Sequence, residues 1–225
     1  MTDIYLIRHC EATGNAKRAF QGTSDCEISE LGAKQLEYLK KRFENFKFDK
    51  IYSSPLKRTV ATAIAAAGDR ADEIEICDGL IEINGGIYEG KPFRETFLKV
   101  QGLADIWNNH PQDFAPPKGE PMRHAYERIW ETVKEIAENN KGKTVICATH
   151  GGVTRCLMCR LMFNDINRLK DVPWSENTAV THIRFDDNLK PEIVFYNDHS
   201  HVPDEFLPKR NRIVDFLAEN EDKKQ

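Results

Sequence analysis

The fold is decided by the stretch IYLIRH at residues 4–9, a short apolar run that ends in an arginine and a histidine. A second run of the same kind, residues 144–149, is followed directly by His150 and two glycines. Short apolar runs rich in β-branched residues are typical of buried strands. Because ligands bind at the carboxyl ends of parallel strands, we expect Arg8, His9 and His150 to meet at one edge of a sheet. An arginine beside two imidazoles predicts a site for an anion.

Helical and strand patterns alternate along the rest of the chain. The spacing of apolar residues predicts strands over residues 2–7, 48–53, 179–185 and 192–196, and helices that begin at Ser29 or span 56–67, 93–107, 121–139 and 153–162. Ser54-Pro55 is predicted to cap the second of these helices, and Gly68 to end it. This alternation favours an α/β fold: a three-layer α/β/α structure with a mainly parallel central sheet.

Length and composition set the class of protein. The 225 residues carry a net charge of −4, so no basic surface for nucleic acid is indicated, and no stretch is apolar enough to cross a bilayer. The six cysteines are scattered, which predicts reduced thiols and a cytoplasmic protein. We expect one domain over residues 1–220, with a helical insertion around 91–120 and a polar tail at 221–225.

Five blocks of sequence together resemble a known family. In chain order they are LIRHCEATGN at residues 6–15, FQG at 20–22, YSSPLKRT at 52–59, LIEI at 80–83 followed by YEG at 88–90, and THGG at 149–152. They are similar to the signature blocks of the histidine phosphatase superfamily, also called phosphoglycerate mutase-like. The resemblance covers residues 2 to about 196 and implies a phosphoglycerate mutase-like fold.

The residues in these blocks suit phosphoryl transfer. Arg8 and Arg58 can each offer a guanidinium fork to phosphate oxygens. A neutral imidazole is a competent nucleophile, and the resemblance assigns that role to His9. Glu82 is the expected general acid, although Glu89 lies nearby and is assigned a supporting place.

The resemblance adds the remaining binding residues. It implies that His150 completes the catalytic set, and that the substrate is bound by Asn15, Gln21, Gly22 and Gly151. The arginines neutralise the phosphate charge, so neither a metal nor another cofactor is expected.

Three functions are compatible with such a pocket, two of them catalytic. Hydrolysis of a small phosphomonoester is favoured, because the span between Glu82 and Gly119 is short and the acid block resembles the phosphatase branch. The alternative is phosphoglycerate mutase-type transfer. A non-catalytic module that binds a phosphorylated ligand is the third. The oligomeric state stays open, with a homodimer as one option.

Several further signals are weighed against simpler interpretations. Cys10 stands at the family's usual glycine position, where it is either a buried filler, which we favour, or an activated thiol. Cys156 and Cys159 have the spacing of a zinc or redox pair but fall in a predicted helix, so we interpret them as core residues. The pair His199 and His201 is too weak a signal for a metal site. The aromatic residues of the insertion either cover the leaving group or pack the insertion onto the sheet; they are Phe93, Phe97 and Trp107.

Overall fold

The structure, a computed structural model, describes residues 1–207 and is built on a six-stranded sheet. The strands are β1 (Thr2–Arg8), β2 (Lys50–Ser53), β3 (Glu75–Ile76), β4 (Thr144–Thr149), β5 (Val180–Phe185) and β6 (Pro191–Asp198). Their order is β3-β2-β4-β1-β5-β6. The pairs among β3, β2, β4 and β1 are parallel, whereas β5 pairs antiparallel with both β1 and β6. The predicted mainly parallel sheet is confirmed.

Helices cover both faces of the sheet. They are α1 (Thr13–Ala16), α2 (Glu30–Phe43), α3 (Lys57–Ala67), α4 (Phe93–Lys99), α5 (Leu103–Asn109), α6 (Met122–Asn139) and α7 (Gly151–Phe163). Ile4 and Leu6 of β1 belong to the core cluster that contains α6 and α7, and Ile7 belongs to the cluster that contains α2 and α3. Alternate residues of one strand thus enter two cores, which confirms the three-layer α/β/α arrangement.

The parallel register brings three strand ends to one edge. Arg8 of β1 is paired with Thr149 of β4, and the His9 N–H donates to the Thr149 carbonyl at 2.9 Å. On the other side of β4, the Ser54 N–H donates to the Ala148 carbonyl at 3.0 Å. His9, His150 and Ser54 therefore follow neighbouring strands at the same edge of the sheet.

The cap predicted for the helix after β2 is wrong. The helix α3 begins at Lys57, with Leu56 at the N-cap, so Ser54-Pro55 lies before it, and the Ser54 backbone continues the pairing of β2 with β4. Gly68 does end α3, with φ of 59°. The Ser29 cap is confirmed, because its hydroxyl accepts from the Gly32 N–H at 3.0 Å.

The other boundaries show smaller differences. Helix α7 begins at Gly151, directly after His150, and not at Val153. The predicted 93–107 helix is divided into α4 and α5 at Gly102, whose φ of 75° a glycine adopts readily. The edge strand β3 and the one-turn α1 were missed, because two and four residues are too few for a periodic pattern.

The aromatic residues of the insertion pack on the core cluster that contains α6 and α7. Phe97 is 4% exposed, and Phe93 and Trp107 pack on the same cluster. The rings of Phe93 and Trp107 lie 5.5 and 5.7 Å from that of Phe20, in the loop after α1. No helix within residues 1–207 has the length and apolarity to cross a membrane. The predicted tail at 221–225 and the end of the predicted domain lie outside the described residues.

Candidate active site

His9 lies at the end of β1 with its ring orientation fixed. Its Nδ1 contacts the Cys10 carbonyl oxygen at 2.6 Å, so Nδ1 carries the proton and Nε2 keeps its lone pair. Burial, together with the neighbouring Arg58 and Arg8 guanidinium groups, lowers the pKa of His9 well below its ordinary value. The imidazole is therefore neutral at neutral pH, with one nitrogen available as a nucleophile.

His150 lies beside His9, with 5.2 Å between the ring centroids. It is fully buried, and its Nε2 lies 2.7 Å from the Ser54 hydroxyl. Burial, followed by the charges of Arg58, lowers the pKa of His150 well below its usual range. When the Ser54 hydroxyl donates to Nε2, the proton of the neutral ring is on Nδ1. That atom is buried without a hydrogen-bond partner among the described residues.

The two arginines are anchored to backbone carbonyls. One Nη of Arg8 donates to the Ser175 carbonyl. Arg58, which is fully buried in the first turn of α3, donates to the Gly22 and Ser24 carbonyls, both at 2.7 Å. Within residues 1–207 the Nε atoms of both arginines are buried and unpartnered. Buried donors of this kind call for a ligand or water, and an anion suits them.

Glu82 is held at the start of α7. Its carboxylate accepts from the Gly152 N–H at 2.9 Å, the Val153 N–H at 3.1 Å and its own neighbour Ile83 at 3.0 Å. Burial raises the pKa of Glu82, and these hydrogen bonds and Arg58 oppose the rise. A carboxyl group whose pKa is raised can remain protonated at a higher pH than an exposed one.

The contact between the Glu82 carboxylate and the start of α7 requires a glycine at position 152. A Cβ placed on it would lie 2.7 Å from Glu82 Oε1, so a larger residue would push the carboxylate away. The glycine after His150 is therefore explained by the close approach of Glu82.

Glu89 organises the loop that holds Arg58. Its carboxylate accepts from the backbone N–H groups of Gly22 at 3.2 Å, Thr23 at 2.9 Å and Ser24 at 3.1 Å, and from Gly85 at 2.7 Å. The same Gly22–Ser24 loop presents the carbonyls to which Arg58 donates. Glu89 and Arg58 thus bind the same loop, one through its N–H groups and the other through its carbonyls, and the supporting role of Glu89 stays a prediction.

Two of the predicted substrate-binding residues follow β1, Asn15 within α1 and Gln21 in the loop after that helix. Asn15 Oδ1 accepts from the Ala12 N–H at 3.0 Å, which ties the side chain to the start of α1. Gln21 packs against Gly14, and both atoms of its amide are buried without a partner in the described part of the chain. Gln21 therefore has hydrogen-bonding capacity to spare, and Asn15 uses its oxygen locally.

The two glycines of the predicted set contribute through the backbone. Gly22 supplies a carbonyl to Arg58. Gly151 is the first residue of α7, and a Cβ there would lie 3.0 Å from Arg8 Nε. The structure thus places both beside the guanidinium groups.

Sequence reasoning missed two supports of this site. Ser54 was assigned as a helix cap, although its hydroxyl contacts His150. Asn177, which precedes β5, donates from Nδ2 to the His9 carbonyl at 2.9 Å, and the Thr178 N–H donates to the Arg8 carbonyl at 3.0 Å. Thr178 has φ of 57°, and no local pattern in the sequence indicates this turn.

The weaker candidates lie in packed surroundings. Burial raises the pKa of the Cys10 thiol to about 11, which is opposite to activation. Cys156 and Cys159 are buried free thiols of α7. His201 contacts Arg42, and burial with that charge lowers its pKa to about 4. In the described part of the chain, no group of three His, Cys, Asp or Glu side chains is arranged to hold a metal ion.

A cavity of about 490 Å³ is lined in part by Glu82. Besides Glu82, its lining includes Thr23, Asn84, Glu120, His124 and Arg128. Glu82 therefore both contacts the start of α7 beside His150 and lines a cavity next to the amino end of α6.

Comparison with known proteins identifies the family of the chain. The profile of the histidine phosphatase superfamily (branch 1) matches residues 4–199. The chain is 30% identical over 168 residues to phosphoserine phosphatase 1 of Hydrogenobacter thermophilus, which covers 75% of this chain and 80% of that one. It is 30% identical over 203 residues to phosphoglycerate mutase-like protein 4 of Arabidopsis thaliana, covering 89% and 86% respectively.

A solved structure shows the same fold. The Bacillus stearothermophilus protein YhfR superposes with a TM-score of 0.84 at 31% identity, over 90% of this chain and all (100%) of that one. The profile match spans most of the chain and includes the strand ends that carry both histidines. The chain belongs to the histidine phosphatase superfamily, branch 1.

Proposed function

We propose that the protein is a metal-independent phosphomonoesterase that acts on a small phosphorylated metabolite through a phosphohistidine intermediate on His9. The observation that carries the proposal is the set of buried polar atoms without protein partners beside His9. In the described residues these include Arg8 Nε, Arg58 Nε and His150 Nδ1. Three donors around a neutral imidazole suit the negatively charged oxygens of a phosphate ester.

The first half of the reaction transfers the phosphoryl group to the enzyme. His9 Nε2 attacks the phosphorus, the bond from phosphorus to the ester oxygen breaks, and the proton of Glu82 goes to the departing alkoxide. Arg8 and Arg58 stabilise the charge on the equatorial oxygens, which is the main requirement of phosphoryl transfer. The two guanidinium groups supply the positive charge that a metal ion provides in other phosphatases.

The second half returns the enzyme to its starting state. Glu82, now a carboxylate, takes a proton from a water molecule as that water attacks phosphohistidine. The bond from phosphorus to Nε2 breaks, and inorganic phosphate leaves. Because the Cys10 carbonyl holds Nδ1–H throughout, the ring needs no rotation between the halves.

Hydrolysis is preferred to phosphoryl transfer between two hydroxyls of one substrate. A relative named phosphoserine phosphatase supports it, whereas one named phosphoglycerate mutase-like keeps transfer as the second candidate. The six free cysteines are consistent with the predicted cytoplasmic location. The substrate class we propose is a small phosphomonoester.

The test measures phosphate release from p-nitrophenyl phosphate and a panel of metabolite phosphomonoesters, with EDTA present. We expect His9→Ala to reduce turnover by about 10⁴-fold or more, as for the loss of other covalent nucleophiles. His110→Ala, which replaces an exposed histidine, is the matched control and should retain activity. A base-quenched sample should show one added phosphate on the peptide that contains His9.

Three results would contradict the proposal. Conversion of 3-phosphoglycerate to 2-phosphoglycerate without phosphate release would identify a mutase. Loss of activity with EDTA that added metal restores would remove the metal-independent mechanism. Tight phosphate binding without any turnover would indicate a non-catalytic module.

A further inference from the structure

We propose that Arg155 of α7 is a positioning residue for Arg8. It holds the segment at residues 172–178, which leads into β5 and whose Ser175 carbonyl orients the Arg8 guanidinium. This role rests on the proposed phosphatase function, because it requires that Arg8 bind the phosphate group of the substrate. Arg155 lies outside the five sequence blocks that resemble the family.

The orientation of the Arg8 guanidinium depends on one backbone carbonyl. Its Nη1 donates to the Ser175 carbonyl, which is the only hydrogen bond that the Arg8 side chain makes to a described residue. Because a guanidinium is planar and rigid, a shift of this carbonyl would turn Nε as well. The direction in which Arg8 offers Nε to a phosphate oxygen is therefore set by the segment 172–178.

Arg155 holds this segment just before Ser175. Its Nε donates to the Val172 carbonyl at 2.8 Å, and its guanidinium carbon lies 5.0 Å from the ring centre of Trp174. A guanidinium at this distance over an indole is attracted to the ring. Both contacts fall within three residues of the carbonyl to which Arg8 donates, so Arg155 fixes the place of that carbonyl.

The ring that Arg155 contacts also borders Arg8. A Cβ on Gly151 would lie 3.0 Å from Arg8 Nε and 3.4 Å from Trp174 Cε3, so the guanidinium and the indole edge flank the same point. Gly151 and Arg155 are four residues apart in α7 and lie on one face of the helix. A displaced indole would therefore disturb Arg8 directly, in addition to the effect through the backbone.

Packing alone does not explain an arginine at position 155. The residue is 7% exposed, and no Asp or Glu of the described residues is among the groups whose charges act most on it. A buried charge without an opposite charge costs stability, and an apolar side chain of similar size would avoid that cost. An apolar side chain could not donate to the Val172 carbonyl, however. The charge is thus retained at the point where it fixes the segment.

Arg155→Met tests this role, because methionine keeps an unbranched apolar stem and removes the guanidinium. We expect kcat/KM for p-nitrophenyl phosphate to fall about tenfold, since a misplaced binding group slows the reaction even when it lies far from the change. The loss stays moderate because the Tyr196 hydroxyl still donates to the Pro173 carbonyl. The dissociation constant of inorganic phosphate, measured by calorimetry, should rise about fivefold.

Arg160→Met is the matched control on the same helix. Arg160 lies over the rings of Tyr126 and Trp130 and pairs with Glu127, and none of these groups belongs to the segment 172–178. Each variant should lower Tm by about 2–4 °C, the usual effect of one lost hydrogen bond in a chain of this size. Arg160→Met should nevertheless change kcat/KM and phosphate affinity by less than about twofold. A merely structural role for Arg155 would make the two variants alike.

A double-mutant cycle with Arg8→Ala shows whether Arg155 acts through Arg8. In the Arg8→Ala background no guanidinium remains to be positioned. Adding Arg155→Met to it should therefore change kcat/KM by less than about twofold, because the two residues share one function.

Two results would overturn this role for Arg155. One is an equal loss of kcat/KM from Arg155→Met with and without Arg8, and the other is kinetics and phosphate affinity that match those of Arg160→Met. Failure of the proposed phosphatase function looks different, since the wild-type protein then releases phosphate from none of the esters. Calorimetry with inorganic phosphate still tests the positioning of Arg8 in that case.

Discussion

The arginine and histidine side chains of the site are held in the opposite way to its carboxylates. Arg8, His9 and Arg58 each donate to backbone carbonyls, and they lie on or directly after regular elements. Glu82 and Glu89 accept from backbone N–H groups, and both lie in the irregular chain between β3 and α4. One half of the site lies on or beside regular elements, whereas the other lies in an irregular segment that is held by contacts distant in sequence.

This difference determines how each half depends on the rest of the chain. Glu82 reaches Gly152, 70 residues away, and Glu89 reaches Gly22, 67 residues away. The carboxylates therefore connect the irregular segment to the strand-end loops. Since the Gly22–Ser24 loop also holds Arg58, the two halves are mechanically coupled at this loop.

Among the changes that distinguish the two halves, Glu82→Gln should have the largest effect. Glutamine keeps the shape but delivers no proton, so kcat for an alkyl phosphate should fall by about 10²–10⁴-fold. The loss for p-nitrophenyl phosphate should be much smaller, because nitrophenolate leaves without a proton. Glu95→Gln, at an exposed position of α4, serves as the control. Equal losses for both esters would exclude Glu82 as the proton donor.

The pH profile of kcat/KM, measured for the wild type and for Glu82→Gln, distinguishes the contribution of His9 from that of Glu82. His9 must be neutral, and its pKa is lowered, so the acid limb of kcat/KM should lie below the ordinary range of histidine. Glu82 must be protonated to act as the acid, so kcat/KM should fall as the pH rises through the pKa of Glu82. Burial raises that pKa, so the fall should come at a higher pH than for an exposed glutamate. Glu82→Gln should remove the alkaline limb and keep the acid limb. An alkaline limb that persists in the variant would belong to another group.

A double-mutant cycle tests the coupling at the loop, with an effect of intermediate size. Arg58→Lys cannot reproduce the two bonds to Gly22 and Ser24, and should lower kcat/KM by about 10²–10³-fold. Glu89→Gln should lower it about tenfold through the loosened loop. Since both changes act on one loop, the double variant should lose less than the product of the two. Strictly multiplicative losses would mean that Glu89 does not support Arg58.

The half of the site that holds the arginines and histidines was also the half that sequence patterns described best. Two apolar runs ended in histidines, and parallel pairing of such runs puts their ends together. The exception is Ser54, because a serine before proline is a strong cap signal. Its backbone instead continues the β2 ladder to Ala148, which frees the hydroxyl for His150.

The acidic half could be located through the family resemblance alone. Nothing periodic marks the chain around Glu82 and Glu89, and their partners lie at separations that local patterns do not encode. The turn at Asn177 and Thr178 could not be predicted from local patterns either. The positive φ of Thr178 is stabilised by a hydrogen bond from its N–H to the Arg8 carbonyl at the end of β1. Such contacts exist only once the sheet has formed.

Cys10→Ala has the smallest effect on kcat/KM that we predict. It tests whether the strand end that carries His9 tolerates a change of side chain next to the nucleophile. The residue contributes its carbonyl to His9, and a carbonyl is present whatever the side chain. Cys10→Ala should therefore keep kcat/KM within about threefold, while the lost sulfur lowers stability by about 1 kcal/mol. Steady-state kinetics and thermal unfolding measure the two effects.

Alkylation of the native protein sharpens this expectation. Because Cys10 is fully buried and its thiol pKa is raised to about 11, iodoacetamide should modify the half-buried Cys26 and Cys77 first. Peptide mass spectrometry after brief treatment reads out the order. Rapid labelling of Cys10 with loss of activity would establish an activated thiol and make the glycine-to-cysteine difference functional. Protection of Cys10 would instead mean that its thiol only fills space. The contribution of the residue to the site would then be its backbone carbonyl, which holds His9 Nδ1.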